Sequence, residues 1–158
     1  APAPVNVISS LLKDKKIFLI EDCSQSHFAR LADRYVGTFG EISAFSTMFS
    51  KTHSTGGCGG VVFTKNFERY KLIRAYADRG KSFFDKNFFE KKFSANYFPA
   101  LNLNLNEISC AIGISSLNKI DKVILQRIKF LSKLDSALNS ESRICSLINF
   151  SLDNSGFN

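Results

Sequence analysis

The sequence predicts an α/β fold, on three observations. Ile17-Phe18-Leu19-Ile20 is a continuous apolar run that ends in Glu21 and Asp22, the pattern of a parallel strand covered on both faces. Two further strand-like stretches, around Ile42 and Ala44 and from Val61 to Thr64, flank a loop with a single lysine, Lys51. That loop closes through a turn containing Gly56, Gly57, Gly59 and Gly60. Segments with helical apolar spacing alternate with these strands, and such alternation argues for α/β architecture.

Each element has its own warrant. Residues 4–14 carry Val5, Ile8, Leu11 and Leu12 at helical intervals, with Pro4 suited to a helix start. The strand at 17–20 follows, and 24–33 reads as loop and then a short exposed segment. Val36 to Gly40 is a turn, and alternation puts Ile42 and Ala44 in a buried strand. The glycines allow a tight turn or a close approach of ligand to backbone. Asn66 can cap a helix running to about Ala77, with Phe67, Tyr70, Ile73 and Arg74 at helical spacing.

Residues 79–99 are basic and aromatic, a long loop whose phenylalanines cover the core. Asn104 or Asn106 can cap a helix starting near Glu107. Its stripe of Ile108, Ile112, Leu117, Ile120, Ile124, Leu131 and Leu138 reads as core, with a break near Leu117-Asn118-Lys119. Patterning weakens beyond Ser140, and 153–158 reads as a frayed end.

At 158 residues, 44% of them hydrophobic, the chain can bury one core. It contains no apolar run long enough to span a bilayer. It opens Ala1-Pro2-Ala3-Pro4, with neither an initiator methionine nor the outline of a signal peptide, and reads as a segment of a longer cytoplasmic protein. The formal charge of +7 suits an anionic partner, a phosphorylated small molecule or nucleic acid, and does not choose between them. Aromatics interleaved with cations at 79–99 would allow stacking on single-stranded nucleic acid, although no nucleic-acid motif accompanies them. Cys23, Cys58, Cys110 and Cys145 are too widely spaced for zinc or redox pairs and read as isolated buried thiols.

One acid and one amine carry the chemistry. The carboxyl end of a parallel strand is where open α/β sheets bind ligands, and Asp22 there could hold a cationic ring nitrogen, or simply cap a turn. Lys51, between a strand and a glycine turn, is a candidate Schiff-base nucleophile or a solvated loop lysine. Pyridoxal phosphate needs both an acid for its ring nitrogen and a lysine for its aldehyde. The turn at 54–60 lacks the Gly-Lys-Ser/Thr ending of a P-loop. Two histidines without clustered carboxylates do not suggest a metal site.

The ordered motifs make the relationship specific. Glu21-Asp22-Cys23-Ser24-Gln25-Ser26-His27, Val36-Gly37-Thr38-Phe39-Gly40, and Phe45-Ser46 with Lys51 and the glycine turn resemble the DegT/StrS sugar aminotransferases. Asp78-Arg79-Gly80 and the segment from Leu101 to Gly113 continue the resemblance, which spans roughly residues 4–138. It implies a partial large domain of a fold-type-I pyridoxal-phosphate enzyme, a mostly parallel sheet with flanking helices, running into a long C-terminal helix. Residues 1–117 would belong to that domain, and 118–158 to a connecting helix and the start of a small domain.

The resemblance also implies roles. Lys51 would bond the cofactor aldehyde and then shuttle the proton. Asp22 would face the pyridine nitrogen, Gln25 would lie near the ring and its phenolic oxygen, and Ser46 would contact the phosphate. Asn102 would reach the phosphate across a homodimer interface, and His27 matches a histidine near the cofactor. Some dehydratases of the family carry histidine in place of the lysine, so Lys51 favours transamination of a nucleotide-linked keto sugar from an amino-acid donor. The alternatives are a non-catalytic fragment of the family and a basic nucleic-acid-binding domain.

Overall fold

The computed structural model describes residues 2–31, 33–81, 84 and 97–141. Helix α1 (Val5–Leu12) leads into β1 (Ile20–Asp22). A small antiparallel hairpin follows, β2 (Arg30–Leu31) and β3 (Arg34–Tyr35), then β4 (Ile42–Ser46) and β5 (Gly60–Phe63). Three helices complete the described chain: α2 (Phe67–Ala77), α3 (Glu107–Leu117) and α4 (Ile120–Asn139).

The main sheet has strand order β1-β4-β5. β1 and β4 run parallel, paired Ile20 to Ile42, Glu21 to Ser43 and Asp22 to Ala44. β5 returns antiparallel, from Ser43 against Phe63 to Ser46 against Gly60. The loop bearing Lys51 therefore joins two hydrogen-bonded neighbours. The buried centre lies beside the sheet, where Cys23, Ala29 and Val36 pack together with Leu31 and Phe45 against them.

Two expected caps form. Asn66 accepts the Arg69 N–H at the start of α2 and Asn106 accepts the Ser109 N–H at the start of α3, each replacing a bond that the first helical turn lacks. The break between α3 and α4 falls at Asn118 and Lys119, as the sequence suggests. Tight local geometry shows at Gly80, whose φ is +76° and where a Cβ would sit 1.8 Å from the Phe98 carbonyl oxygen. No L-residue fits there without backbone movement.

Several expectations are corrected. The first strand is Ile20–Asp22 and not 17–20, and Ile20 is 68% exposed. Burial of a parallel strand needs cover on both faces, and among the described residues the face carrying Ile20 and Asp22 stands open. In β4 it is Ser43 that is buried while Ala44 is exposed, because the Ser43 hydroxyl bonds the Gly37 carbonyl oxygen of the adjacent loop. The hairpin at 30–35 replaces part of the expected loop, with Asp33 turning through a φ of +62°. Of the apolar stripe along α3 and α4, Ile120 alone is fully buried among the residues named. Cys23 is buried, but Cys58 and Cys110 are exposed. Most of the basic aromatic stretch at 79–99, Cys145 and the chain beyond residue 141 lie outside the described residues.

Candidate active site

Successive residues of a strand point to opposite faces, and partners in a ladder share a face. The β1–β4 register therefore sets Asp22, Ala44 and Ser46 on one side of the sheet. Glu21, Ser43 and Phe45 occupy the other. This division organises the site.

Asp22 stands at the exposed carboxyl end of β1, and its Oδ1 accepts the Ser24 N–H at 3.0 Å. Hydrogen bonds from Ser24, side chain first and then backbone, hold the Asp22 carboxyl below its ordinary range. Desolvation opposes them, and the Lys51 ammonium adds a smaller pull in the same direction. The result is a carboxylate kept ionised at neutral pH and within electrostatic reach of Lys51. Gln25 lies on the exposed turn just beyond Asp22. Ser46, on the Asp22 face at the end of β4, accepts a long bond from the Met48 N–H at 3.4 Å.

The Lys51 loop is built to hold its shape. At its base the Thr47 N–H donates to the Gly59 carbonyl oxygen at 2.8 Å and the Thr55 N–H to the Thr47 carbonyl oxygen at 2.9 Å. The two buried threonine hydroxyls bond each other at 2.9 Å. Gly59 must be glycine, since a Cβ would come within 2.7 Å of both hydroxyl oxygens. Higher in the loop the Phe49 N–H donates to the Gly57 carbonyl oxygen and the Lys51 N–H to that of Met48. Two side-chain bonds fasten the loop to the helices: the Ser54 N–H to Ser116 Oγ of α3, and Arg127 Nη1 of α4 to Thr52 Oγ1.

The opposite face carries an apolar cavity of about 460 Å³, lined in part by His27, Phe45, His53, Val61 and Phe63. His27 is buried there, its ring 5.9 Å from Phe45 and 6.4 Å from His53. Burial lowers the His53 pKa, and its Nδ1 finds no partner among the described residues. His53 thus lines the back of the sheet although it lies two residues from Lys51.

Asn102 makes its described bonds with Asp78 and Asn104: its backbone forms a bridge with Asp78, and its exposed side chain accepts from Asn104. Asp78 itself is buried, its carboxylate taking Arg79 Nε at 2.7 Å and Lys81 Nζ at 2.9 Å. The Lys81 bond, ahead of Arg79 and Asn104, brings the Asp78 pKa down to about 2.

The register thus sets Asp22 and Ser46 on one side of the sheet, with Gln25 on the turn that follows Asp22 and the charge of Lys51 reaching the Asp22 carboxylate. Sequence reasoning missed the residues that shape the loop. Ser116 and Arg127 lie 62 and 75 positions from the residues they bond, and no local pattern signals such pairs. Thr47 and Thr55 were legible only as polar residues flanking the lysine.

Comparison with known proteins supplies the relationships of this arrangement. The sequence profile of the DegT/DnrJ/EryC1/StrS aminotransferase family matches residues 1–151. GDP-perosamine synthase of Escherichia coli O157:H7 is 29% identical over 139 residues, covering 88% of this chain and 36% of that protein. GDP-4-keto-6-deoxy-D-mannose 3-dehydratase of Yersinia pseudotuberculosis is 33% identical over 143 residues, covering 81% of this chain and 35% of that one. Among solved structures, an E. coli GDP-4-keto-6-deoxy-D-mannose-3-dehydratase with bound hydrated PLP superposes with a TM-score of 0.70 at 28% identity, over 81% of this chain and 35% of the other. The chain spans about a third of the length of the relatives it matches.

Proposed function

Because the chain belongs to the DegT/DnrJ/EryC1/StrS aminotransferase family, we propose that the full-length protein is a pyridoxal-phosphate-dependent aminotransferase of a nucleotide-linked keto sugar. The observation that carries this reading is the β1–β4 register, which sets Asp22 and Ser46 on one face of the sheet beside the loop of Lys51, whose charge reaches the Asp22 carboxylate.

The donor set fits the cofactor. Asp22 supplies the anion for a pyridine nitrogen, Lys51 the amine for an aldehyde, and Ser46 a hydroxyl donor for a phosphate. Gln25, on the turn after β1, would approach the ring. Asn102 would reach the phosphate of a second copy, in a homodimer. When bound, pyridoxal phosphate supplies an electron-withdrawing ring that stabilises negative charge on the substrate carbon beside nitrogen. The Asp22 carboxylate would hold a proton on the ring nitrogen, which would strengthen that withdrawal. Lys51 Nζ would take up and return a proton, acting as general base and acid.

Relatives of the chain include both synthases and a dehydratase. Lysine at position 51 favours amino transfer, since an amine is the group that bonds an aldehyde reversibly. The substrate would be a nucleotide-sugar ketone, the donor an amino acid, and the compartment the cytoplasm.

The test is borohydride reduction of the full-length protein in the presence of pyridoxal phosphate. Peptide mass spectrometry is expected to find the reduced cofactor on Lys51, with amino transfer to a nucleotide keto sugar lost in Lys51→Ala. A protein that retains no cofactor after reduction overturns the proposal.

A further inference from the structure

The Lys51 loop is bonded from outside itself at Thr52, the residue beside the amine. Thr52 is 7% exposed, and its Oγ1 accepts Arg127 Nη1 at 2.7 Å. Arg127 lies on α4, otherwise an amphipathic helix whose described residues are mostly exposed. Two residues further along the loop, the Ser54 N–H is taken by Ser116 of α3. The base of the loop is closed by hydrogen bonds among Thr47, Thr55 and Gly59. The helical bonds therefore act on the segment between base and turn, where the lysine sits.

We infer that Arg127 is a positioning residue for Lys51, acting through the Thr52 hydroxyl so that the packing of α4 sets where the amine stands. The inference rests on the reading of Lys51 as the reactive amine. Its chemistry is specific. A guanidinium is planar, always charged and preorganised, so a short bond to a buried hydroxyl fixes that hydroxyl with little loss of side-chain freedom. Thr52 is β-branched and stiff at χ1, so holding its Oγ1 also holds its Cα. The adjoining Cα is that of Lys51. A displacement on the order of 1 Å at a reacting group costs about 100-fold in rate.

The test uses the full-length protein and the variants R127M, T52V, the double R127M/T52V, and the conservative T52S. Each of R127M and T52V is expected to lower kcat by about 10- to 100-fold with KM for the sugar within about three-fold. The double variant is expected to be no slower than the worse single one, because both remove the same bond. T52S, which keeps the hydroxyl, recovers most of the lost rate. Independent of activity, amide hydrogen exchange of the cofactor-free protein is expected to rise at residues 50–55 in R127M, while protection of β4 and β5 is unchanged. Rate losses that multiply in the double variant, or exchange at 50–55 that does not respond to R127M, overturn the inference. Failure of borohydride to fix pyridoxal phosphate on Lys51 in the unaltered protein sinks the enzymatic reading instead, and leaves the exchange result to judge the tether.

Discussion

Glu21 and Asp22 are neighbours on β1 and face opposite sides of the sheet, one carboxylate sealed and the other open. Glu21 is 3% exposed and receives three backbone N–H groups, from Gly37 at 2.7 Å, Phe39 at 2.7 Å and Gly40 at 2.6 Å. Asp22 is exposed and has the Ser24 bonds and the Lys51 charge. The first fixes the end of the strand from behind, so that the second can present its charge in front.

Replacing Glu21 by Gln keeps the volume and removes the charge. One amide oxygen cannot serve all three donors, and the new NH2 meets an N–H head on. Charge-assisted bonds are about twice as strong as neutral ones, and an orphaned buried donor costs about 1–3 kcal/mol. E21Q is therefore expected to lower stability by about 2–4 kcal/mol in urea unfolding of the full-length protein. A loss under about 1 kcal/mol would mean the loop at 37–40 holds itself.

Asp22→Asn should act on rate and not on folding. The side chain is exposed, so its removal leaves no buried donor unpaired, while the anion proposed to face the ring nitrogen disappears. Loss of one preorganised electrostatic partner corresponds to about a 100-fold drop in kcat. Steady-state kinetics beside a thermal melt separates the two effects. A variant with full activity would remove Asp22 from the proposed site.

Asp78 makes a specific pH dependence. Its folded pKa, about 2, lies below the ordinary carboxylate value, chiefly through the Lys81 bond. Such a group contributes stability above its unfolded pKa, near about 4, and loses that contribution as pH falls through its folded value. Stability is thus expected to decline between about pH 4 and pH 2, and Asp78→Asn should flatten that part of the curve. Parallel curves for the two proteins would show the Arg79 and Lys81 pairs to be of no consequence.

Thiol chemistry divides the cysteines. Cys23 is wholly buried, and burial, then Glu21 and Asp22, pushes its pKa up to about 12. Cys58 and Cys110 are exposed. Iodoacetamide at pH 8 is expected to alkylate Cys58 and Cys110 in the native protein and to reach Cys23 only after unfolding. Peptide mapping decides it, and rapid labelling of Cys23 in the native state would contradict the packing around β1.

Much of the fold was legible because its signals are local. Asn66 and Asn106 cap the helices they precede, since a side-chain oxygen three residues from an unpaired N–H needs nothing else from the protein. The α3–α4 break follows from the chain at Asn118 and Lys119. The hairpin at 30–35 was not legible, because two-residue strands carry no periodicity to read. Burial was misjudged along Ile17, Ile20 and the α3 stripe, because hydrophobicity states what a residue would bury and not what stands over it.

Local pattern by itself determined the helices, the strand pair around the lysine loop, and the residue types able to serve a carbonyl-binding amine. Tertiary structure alone decided that Asp22 and Ser46 share a face while Glu21 turns away, that His53 lies behind the sheet, and that Arg127 reaches Thr52 across 75 positions. The reason is physical. A cap or a turn is settled by bonds within a few residues, but strand register and helix packing depend on contacts between segments whose separation in sequence carries no trace of their distance in space.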